Sequence, residues 1–128
     1  MEQYLLKIRK NGYKLTSVRR GIIKSLLKAS KPVTARKIYQ LLHDKNINIS
    51  SVYRNLCLFK SIGFVFEEEH KRESYYYISD EHHHHIYCDG CGYIECIPCE
   101  YKKIKSLKFK RIEHRIVLKG RCKKCVKA

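Results

Sequence analysis

The chain has 128 residues, with 28 Lys and Arg against 12 Asp and Glu, a formal charge of +16, and seven cysteines. A charge of this size points to a polyanionic partner, nucleic acid first and an anionic membrane surface second, with lysine-rich genomic composition as the plain alternative. The opening residues hold no apolar run long enough for a signal peptide, and nothing later approaches the roughly 18 apolar residues of a membrane span, so a secreted or membrane-spanning protein is not expected and a cytoplasmic one is.

Residues 2–11 carry Tyr4, Leu5 and Ile8 at helical spacing and stop at Asn11-Gly12, a short basic first helix. Thr16 is placed to cap a second helix over 17–29, where Val18, Ile22, Ile23, Leu26 and Leu27 form the apolar stripe and Arg19, Arg20 and Lys24 lie off it. Pro32 and Thr34 punctuate the chain before a third helix at 35–44 with Ile38, Leu41 and Leu42 inward. Ser50 or Ser51 can cap a fourth helix that runs to Ile62 and ends at Gly63. Its inward set is Val52, Leu56, Phe59 and Ile62, which turns Ser51, Tyr53, Arg54 and Asn55 outward near the N-terminus. Arg and Tyr in that position suit major-groove reading; an ordinary solvated helix face is the plainer account. Cys57 lies in the same helical pattern, where it is expected to pack as a small apolar side chain.

After Gly63 the texture changes to strands. Phe64-Val65-Phe66-Glu67-Glu68-Glu69, a polar turn at 70–73, and Tyr75-Tyr76-Tyr77-Ile78 read as a hairpin. Helices followed by a hairpin make a winged helix-turn-helix, with Glu67 to Glu69 directed away from phosphate as solvated residues or metal ligands. The boundary falls at 79–81, giving a winged-helix domain at 1–79 and a smaller domain at 80–128. In the latter, 85–88 and 92–97 are expected as strands, 100–109 as a short basic helix, and 113–119 as a further strand. A unit this small needs a structural metal or a partner copy, so dimerisation through the 115–118 strand is expected. The fold class is α+β: an N-terminal winged helix-turn-helix and a small α/β dimerisation domain with a four-cysteine structural zinc site.

Seven cysteines in a reducing compartment are better read as metal ligands than as disulfides. Cys88, Cys91, Cys122 and Cys125 spell C-x2-C-x30-C-x2-C, two knuckles that can close on one tetrahedral zinc. The redox-dithiol reading wants a βαβ setting that is not found. Cys96 and Cys99 form a third pair, and spacing leaves a Cys88/Cys91/Cys96/Cys99 tetrad open. His82-His83-His84-His85 stands directly before the first knuckle, unlike a terminal tag or a low-complexity tract. On a strand His83 and His85 face one way and His82 and His84 the other, so two metal sites on two faces are expected.

Gly12-Tyr13-Lys14-Leu15-Thr16-Ser17-Val18-Arg19, Ser51-Val52-Tyr53-Arg54-Asn55-Leu56, His82 to His85 with Cys88-Asp89-Gly90-Cys91-Gly92, and His114 with Cys122 and Cys125 occur in order along nearly the whole chain. Together they resemble the ferric uptake regulator family of bacterial metal-dependent repressors. The resemblance implies a homodimer on double-stranded DNA at an AT-rich palindrome, with no membrane and no small-molecule substrate. It assigns Tyr53 and Arg54 to the recognition helix, Lys14 to backbone or minor-groove contact, and Cys88, Cys91, Cys122 and Cys125 to structural zinc; Arg19, Ser51 and Asn55 complete the expected DNA-contact set. It places His83 and His85 in a regulatory hinge site and His82, His84 and His114 in a second site, with Glu100 as the nearest acidic ligand.

Two departures stand out. Where the family pattern has a regulatory His before the third helix this chain has Lys31, and where it has an acid before the His run this chain has Tyr75, Tyr76 and Tyr77. Glu67 to Glu69, Glu73 or Cys96 are the available substitutes, with Glu68 or Cys96 foremost. The regulatory ion stays open among zinc, iron and manganese, and the surplus thiols lean toward zinc. The expected mechanism is linkage, in which metal at the hinge sets the two recognition helices about 34 Å apart on successive major grooves. The rival is a metal-independent winged-helix DNA-binding protein whose zinc is purely structural. Peroxide sensing by histidine oxidation is a further property of part of the family. No Glu is placed as a general base for a catalytic zinc, so an enzyme is not expected.

Overall fold

A computed structural model of the chain describes residues 1–29, 31–42, 46–81, 83–98, 106–110, 112, 114 and 116–127. Four helices come first: α1 (Glu2–Lys10), α2 (Ser17–Lys28), α3 (Ala35–Leu41) and α4 (Ile49–Ile62). Thr16 accepts from the Arg19 backbone N–H, and Thr34 does the same for Lys37, so each Thr satisfies one orphan donor of the helix it starts. The cap of α4 is Asn48, not Ser50 or Ser51: its side chain accepts from Ser51 N at 2.9 Å. Asn in the polar break reaches the first turn better than the two serines, which lie inside the helix. Gly63 closes α4 at φ +108°, a left-handed conformation that glycine adopts without Cβ strain.

Strand β1 (Val65–His70) pairs antiparallel with β2 (Glu73–Ile78), from Val65 opposite Ile78 to His70 opposite Glu73. The turn is only Lys71-Arg72, both at positive φ (51° and 64°), shorter than the turn expected from the sequence. A two-residue hairpin connection demands that backbone, and here two cations take it in place of Asn or Gly. Val33 bridges Tyr76 through paired backbone hydrogen bonds, which sews the segment between α2 and α3 onto the hairpin and completes a winged helix.

A second sheet has the order β4-β3-β5, where β3 is His83–Cys88, β4 is Ile94–Pro98 and β5 is Leu118–Gly120. β3 and β4 run antiparallel, whereas β3 and β5 are parallel, with Ile86 opposite Leu118. A short helix, α5 (Lys123–Val126), carries the second knuckle. Of the basic helix expected at 100–109, residues 100–105 lie outside the described residues and 106–109 are not helical. Of the strand expected at 113–119, Glu113 and Arg115 also lie outside them, and the strand observed begins at Leu118.

The described hydrophobic core is built by the winged helix. Ile8, Ile22, Ile23, Ile38, Val52, Leu56, Phe59, Phe64 and Val65 are almost wholly enclosed, and Phe64 packs its ring on those of Phe59 and Tyr4. Leu27 and Leu41, expected inward, are at the surface, and Cys57 is exposed rather than packed. Each sits one step beyond the face its helix buries. Around the second sheet, Tyr87 and Cys88 are buried while Tyr93, Leu107, Phe109 and Val117 are exposed. Among the described residues that unit has little apolar filling of its own.

Candidate metal centre

The sulfurs of Cys88, Cys91, Cys122 and Cys125 all lie within 4.8 Å of one another. Cys88 Sγ and Cys125 Sγ are 3.6 Å apart, as are Cys91 Sγ and Cys122 Sγ, close to the roughly 3.8 Å between two thiolates on a tetrahedral zinc. Cys96 has no place in this group, so the alternative tetrad through it is not formed; Cys99 lies outside the described residues. β3 brings Cys88 to the site, and the parallel pairing with β5 returns the chain beside it for the second knuckle. The backbone N–H of Cys122 donates to Cys88 Sγ at 3.3 Å, and that of Gly90 at 3.4 Å. Donation from the Cys122, Cys91 and Gly90 backbone holds the Cys88 thiol down at about 6, a thiolate at neutral pH. Cys125, sharing a proton with Cys88 and Cys122, is pushed up to about 12. A dication would eject that proton, and the four-sulfur set fits a closed structural zinc site. Gly90 is required here for space, because a Cβ would stand 2.6 Å from Cys125 Sγ.

A second group joins His83, His85 and Cys96, whose ligand atoms also lie within 4.8 Å of one another. The register explains it: His85 is directly opposite Cys96 across the β3–β4 ladder, and His83 shares their face two residues away. His83 Nδ1 is 3.2 Å from the Glu81 carbonyl, which can only accept, so the ring is protonated at Nδ1. His85 Nδ1 donates to the Glu68 carboxylate at 2.8 Å. With Nδ1 so engaged, Nε2 is the nitrogen of each ring left to offer a lone pair to a metal. Glu68 thus stands behind His85, on the far side from the thiol, with Tyr87 donating to the same oxygen at 3.4 Å.

The two histidines line a cleft of about 190 Å³ together with Leu26, Leu27 and Lys31 from the helical side and Tyr77 and Ile78 from β2. The Tyr77 ring packs on both imidazoles, and its hydroxyl donates to the His83 carbonyl. Sequence reasoning did not find Tyr77 as the wall of the site, or the Glu81 carbonyl behind His83; neither carries a motif. Of the other acids, Glu67 pairs with Lys60 at 2.6 Å, while Glu69 and Glu73 are exposed.

On the opposite face of β3, His84 Nε2 meets His114 Nε2 at 3.1 Å. Burial, and then His114, lowers the His84 pKa, so the ring is neutral at pH 7 and one nitrogen donates to the other. His82 and Glu100, the remaining residues expected there, lie outside the described residues. Glu68 Oε1, buried and without a hydrogen bond among the described residues, is 4.0 Å from His84 Nδ1. The carboxylate therefore lies between the two histidine faces.

On α4, Tyr53 and Arg54 are exposed near the N-terminus, with Tyr53 at 46%. Arg19 donates through Nε to Asn55 Oδ1 at 3.0 Å and through Nη1 to the Lys14 carbonyl at 2.8 Å, and it lies over the Tyr13 ring. Arg19 and Asn55 are thus committed to joining α2, α4 and the segment before α2, while Lys14 is exposed beside them and Ser51 is half-buried. No described helix is long and apolar enough to cross a membrane.

A family model described as the ferric uptake regulator family matches residues 10–119. The peroxide-responsive repressor PerR of Staphylococcus epidermidis is 32% identical over 136 residues, covering 98% of this chain and 89% of the relative. The ferric uptake regulator Fur of Helicobacter pylori, whose structure is described as revealing three functional metal-binding sites, is 29% identical with a TM-score of 0.70, over 99% of this chain and 91% of that one. PerR of Streptococcus pyogenes, described in terms of peroxide sensing and gene regulation, gives 26% identity and a TM-score of 0.59, over 97% and 91%.

Proposed function

The chain belongs to the ferric uptake regulator family of metal-responsive transcriptional regulators, and on that premise we propose that it is a repressor that binds operator DNA as a homodimer when its hinge metal site is filled. The observation that carries this reading is the convergence of His83, His85 and Cys96 at the junction of three parts of the fold. The cleft beside the two histidines is walled by α2, by the segment before α3 and by β2 of the wing. An ion held there would tie β3 and β4 to the winged helix and so fix where α4 points.

In this reading residues 1–79 are the DNA-binding unit and 80–128 the metal-binding dimerisation unit. Tyr53 and Arg54 enter the major groove, Lys14 contacts backbone phosphate, and Arg19 and Asn55 hold α4 at the correct angle. Support for the dimer comes from β5, an edge strand of its sheet among the described residues, and from Val117 and Phe109, exposed at 53% and 70%. Cys88, Cys91, Cys122 and Cys125 hold a zinc that keeps the second unit folded, and His84 with His114 forms part of a second site. Bound metal supplies charge and cross-linking here, not a reaction.

Lys31 favours the rival reading, a winged helix whose zinc is structural only, because a cation rather than a ligand lines the hinge cleft. Fluorescence anisotropy separates the two. Protein with its four-cysteine site filled is titrated onto double-stranded DNA from upstream of its own gene at fixed salt, with Zn(II), Mn(II) or anaerobic Fe(II). A large affinity gain with one ion is expected; equally tight binding with and without every ion would defeat the proposal.

A further inference from the structure

We infer that the hinge site is a thiolate site, in which His83 Nε2, His85 Nε2 and Cys96 Sγ select zinc(II) and other thiophilic ions over manganese(II) and iron(II). The inference deepens the regulatory reading and rests on it for its biological meaning, but the coordination chemistry stands on its own geometry.

Three observations carry it. First, Cys96 is the cross-strand partner of His85, so the β3–β4 ladder itself delivers a sulfur to the imidazoles, and the three ligand atoms fall within 4.8 Å of one another. Second, both imidazoles are preset. The Glu81 carbonyl and the Glu68 carboxylate engage Nδ1 at 3.2 and 2.8 Å, which leaves Nε2 of each ring to offer a lone pair to a metal. Third, several of the nearby oxygen donors are held by other partners, although Asp80 and Glu81 line a neighbouring cavity together with His83 and Cys96. Glu68 is engaged behind His85, Glu67 with Lys60, and the Tyr77 hydroxyl with the His83 carbonyl.

The donor set that the ladder brings together is two borderline nitrogens and one soft sulfur. That set suits zinc and cobalt(II), and poorly suits manganese(II), which prefers carboxylate, carbonyl and water. Charge leads to the same conclusion. Lys31 lines the cleft as a fixed cation, and an incoming dication needs a nearby anion to offset it. Binding ejects the Cys96 proton and leaves a thiolate against the metal, so the ion arrives with its counter-charge. Cys96 is exposed, which leaves the sulfur open to an incoming ion and a fourth coordination position open to water.

The test uses the full chain with zinc on Cys88, Cys91, Cys122 and Cys125, titrated with cobalt(II). Cobalt bound at the hinge should show a sulfur-to-metal charge-transfer band in the near ultraviolet. Cys96→Ser should still take cobalt, at least about tenfold more weakly, without the band. Cys96→Asp should narrow the zinc-over-manganese affinity ratio by at least about tenfold, because a carboxylate restores a hard donor. Zinc content and circular dichroism of each variant report whether the four-cysteine site and the fold persist. A hinge that binds cobalt without the band, or a band that survives in Cys96→Ser, would overturn the inference. Failure of the regulatory reading would show separately, as thiolate-bound metal that leaves DNA affinity unchanged.

Discussion

Glu68, on the first strand of the wing, holds the imidazole of His85, on the first strand of the second sheet, by a 2.8 Å hydrogen bond in a buried setting. The bond crosses between the two sheets and leaves Nε2 of the ring as the nitrogen open to the group that His85 forms with His83 and Cys96. A carboxylate behind a ligand histidine fixes its tautomer and raises its basicity. Glu68→Ala should therefore weaken zinc binding at the hinge about 10- to 100-fold, with Glu68→Gln intermediate, while the zinc held by the four cysteines is retained. Competition with a chromophoric chelator measures both. Equal hinge affinity in all three proteins would leave Glu68 a packing role only.

Gly90 and Cys125 give a sharper test of the four-sulfur site than removal of a ligand. Because a Cβ at 90 would stand 2.6 Å from Cys125 Sγ, Gly90→Ala should lower zinc content toward that of Cys122→Ser, about one ion per chain below wild type. Elemental analysis after gel filtration reads it. Full zinc content in Gly90→Ala would mean that the knuckle relaxes around the methyl group.

For the DNA face, Arg54→Ala should cost about 1–3 kcal/mol on the operator and far less on unrelated duplex. Lys14→Ala should weaken both alike and reduce the salt slope by about one. Binding isotherms across a salt series distinguish them. Parallel losses on the two DNAs for Arg54→Ala would show that its guanidinium touches phosphate alone.

His70 stacks on Tyr87 at 3.9 Å between ring centroids, and burial, followed by Lys71, lowers its pKa from 6.5. The unfolded chain takes up this proton more readily than the folded one, so stability is complete above about pH 6.5 and falls as the pH drops below it. Urea midpoints of the zinc-loaded protein at pH 7.5 and 5.5 should therefore differ more for wild type than for His70→Phe, which keeps the stack without the charge. Identical differences would remove His70 from the pH response.

The helices and ligand spacings could be read from the chain because each is a local code. Thr16 caps, Gly63 stops, and paired cysteines two residues apart declare a knuckle. What could not be read is register. That Cys96 faces His85 follows from which residues of β3 and β4 lie opposite one another, and the residues between them give no unique offset. The same holds for Glu68, one of three consecutive glutamates, of which only the middle one is buried. The Lys71-Arg72 turn was hidden because its backbone is one that Asn and Gly usually announce. Cys57 and Leu41 show the limit of helical periodicity, which gives a stripe but not the edge at which burial stops.

The parallel pairing of β3 with β5 also sets a sequence of events in time. Helices, wing hairpin and the β3–β4 ladder join neighbours along the chain, whereas β5 must cross 30 residues between Cys91 and Cys122 before its hydrogen bonds form. Closing such a loop costs roughly 3 kcal/mol of chain entropy, which the three residue pairs of β5 begin to offset only after the ends have met. An ion already seated on Cys88 and Cys91 shortens that search by capturing the second knuckle as it diffuses past. Without such an ion the second knuckle would have to find the first by unaided search of the loop.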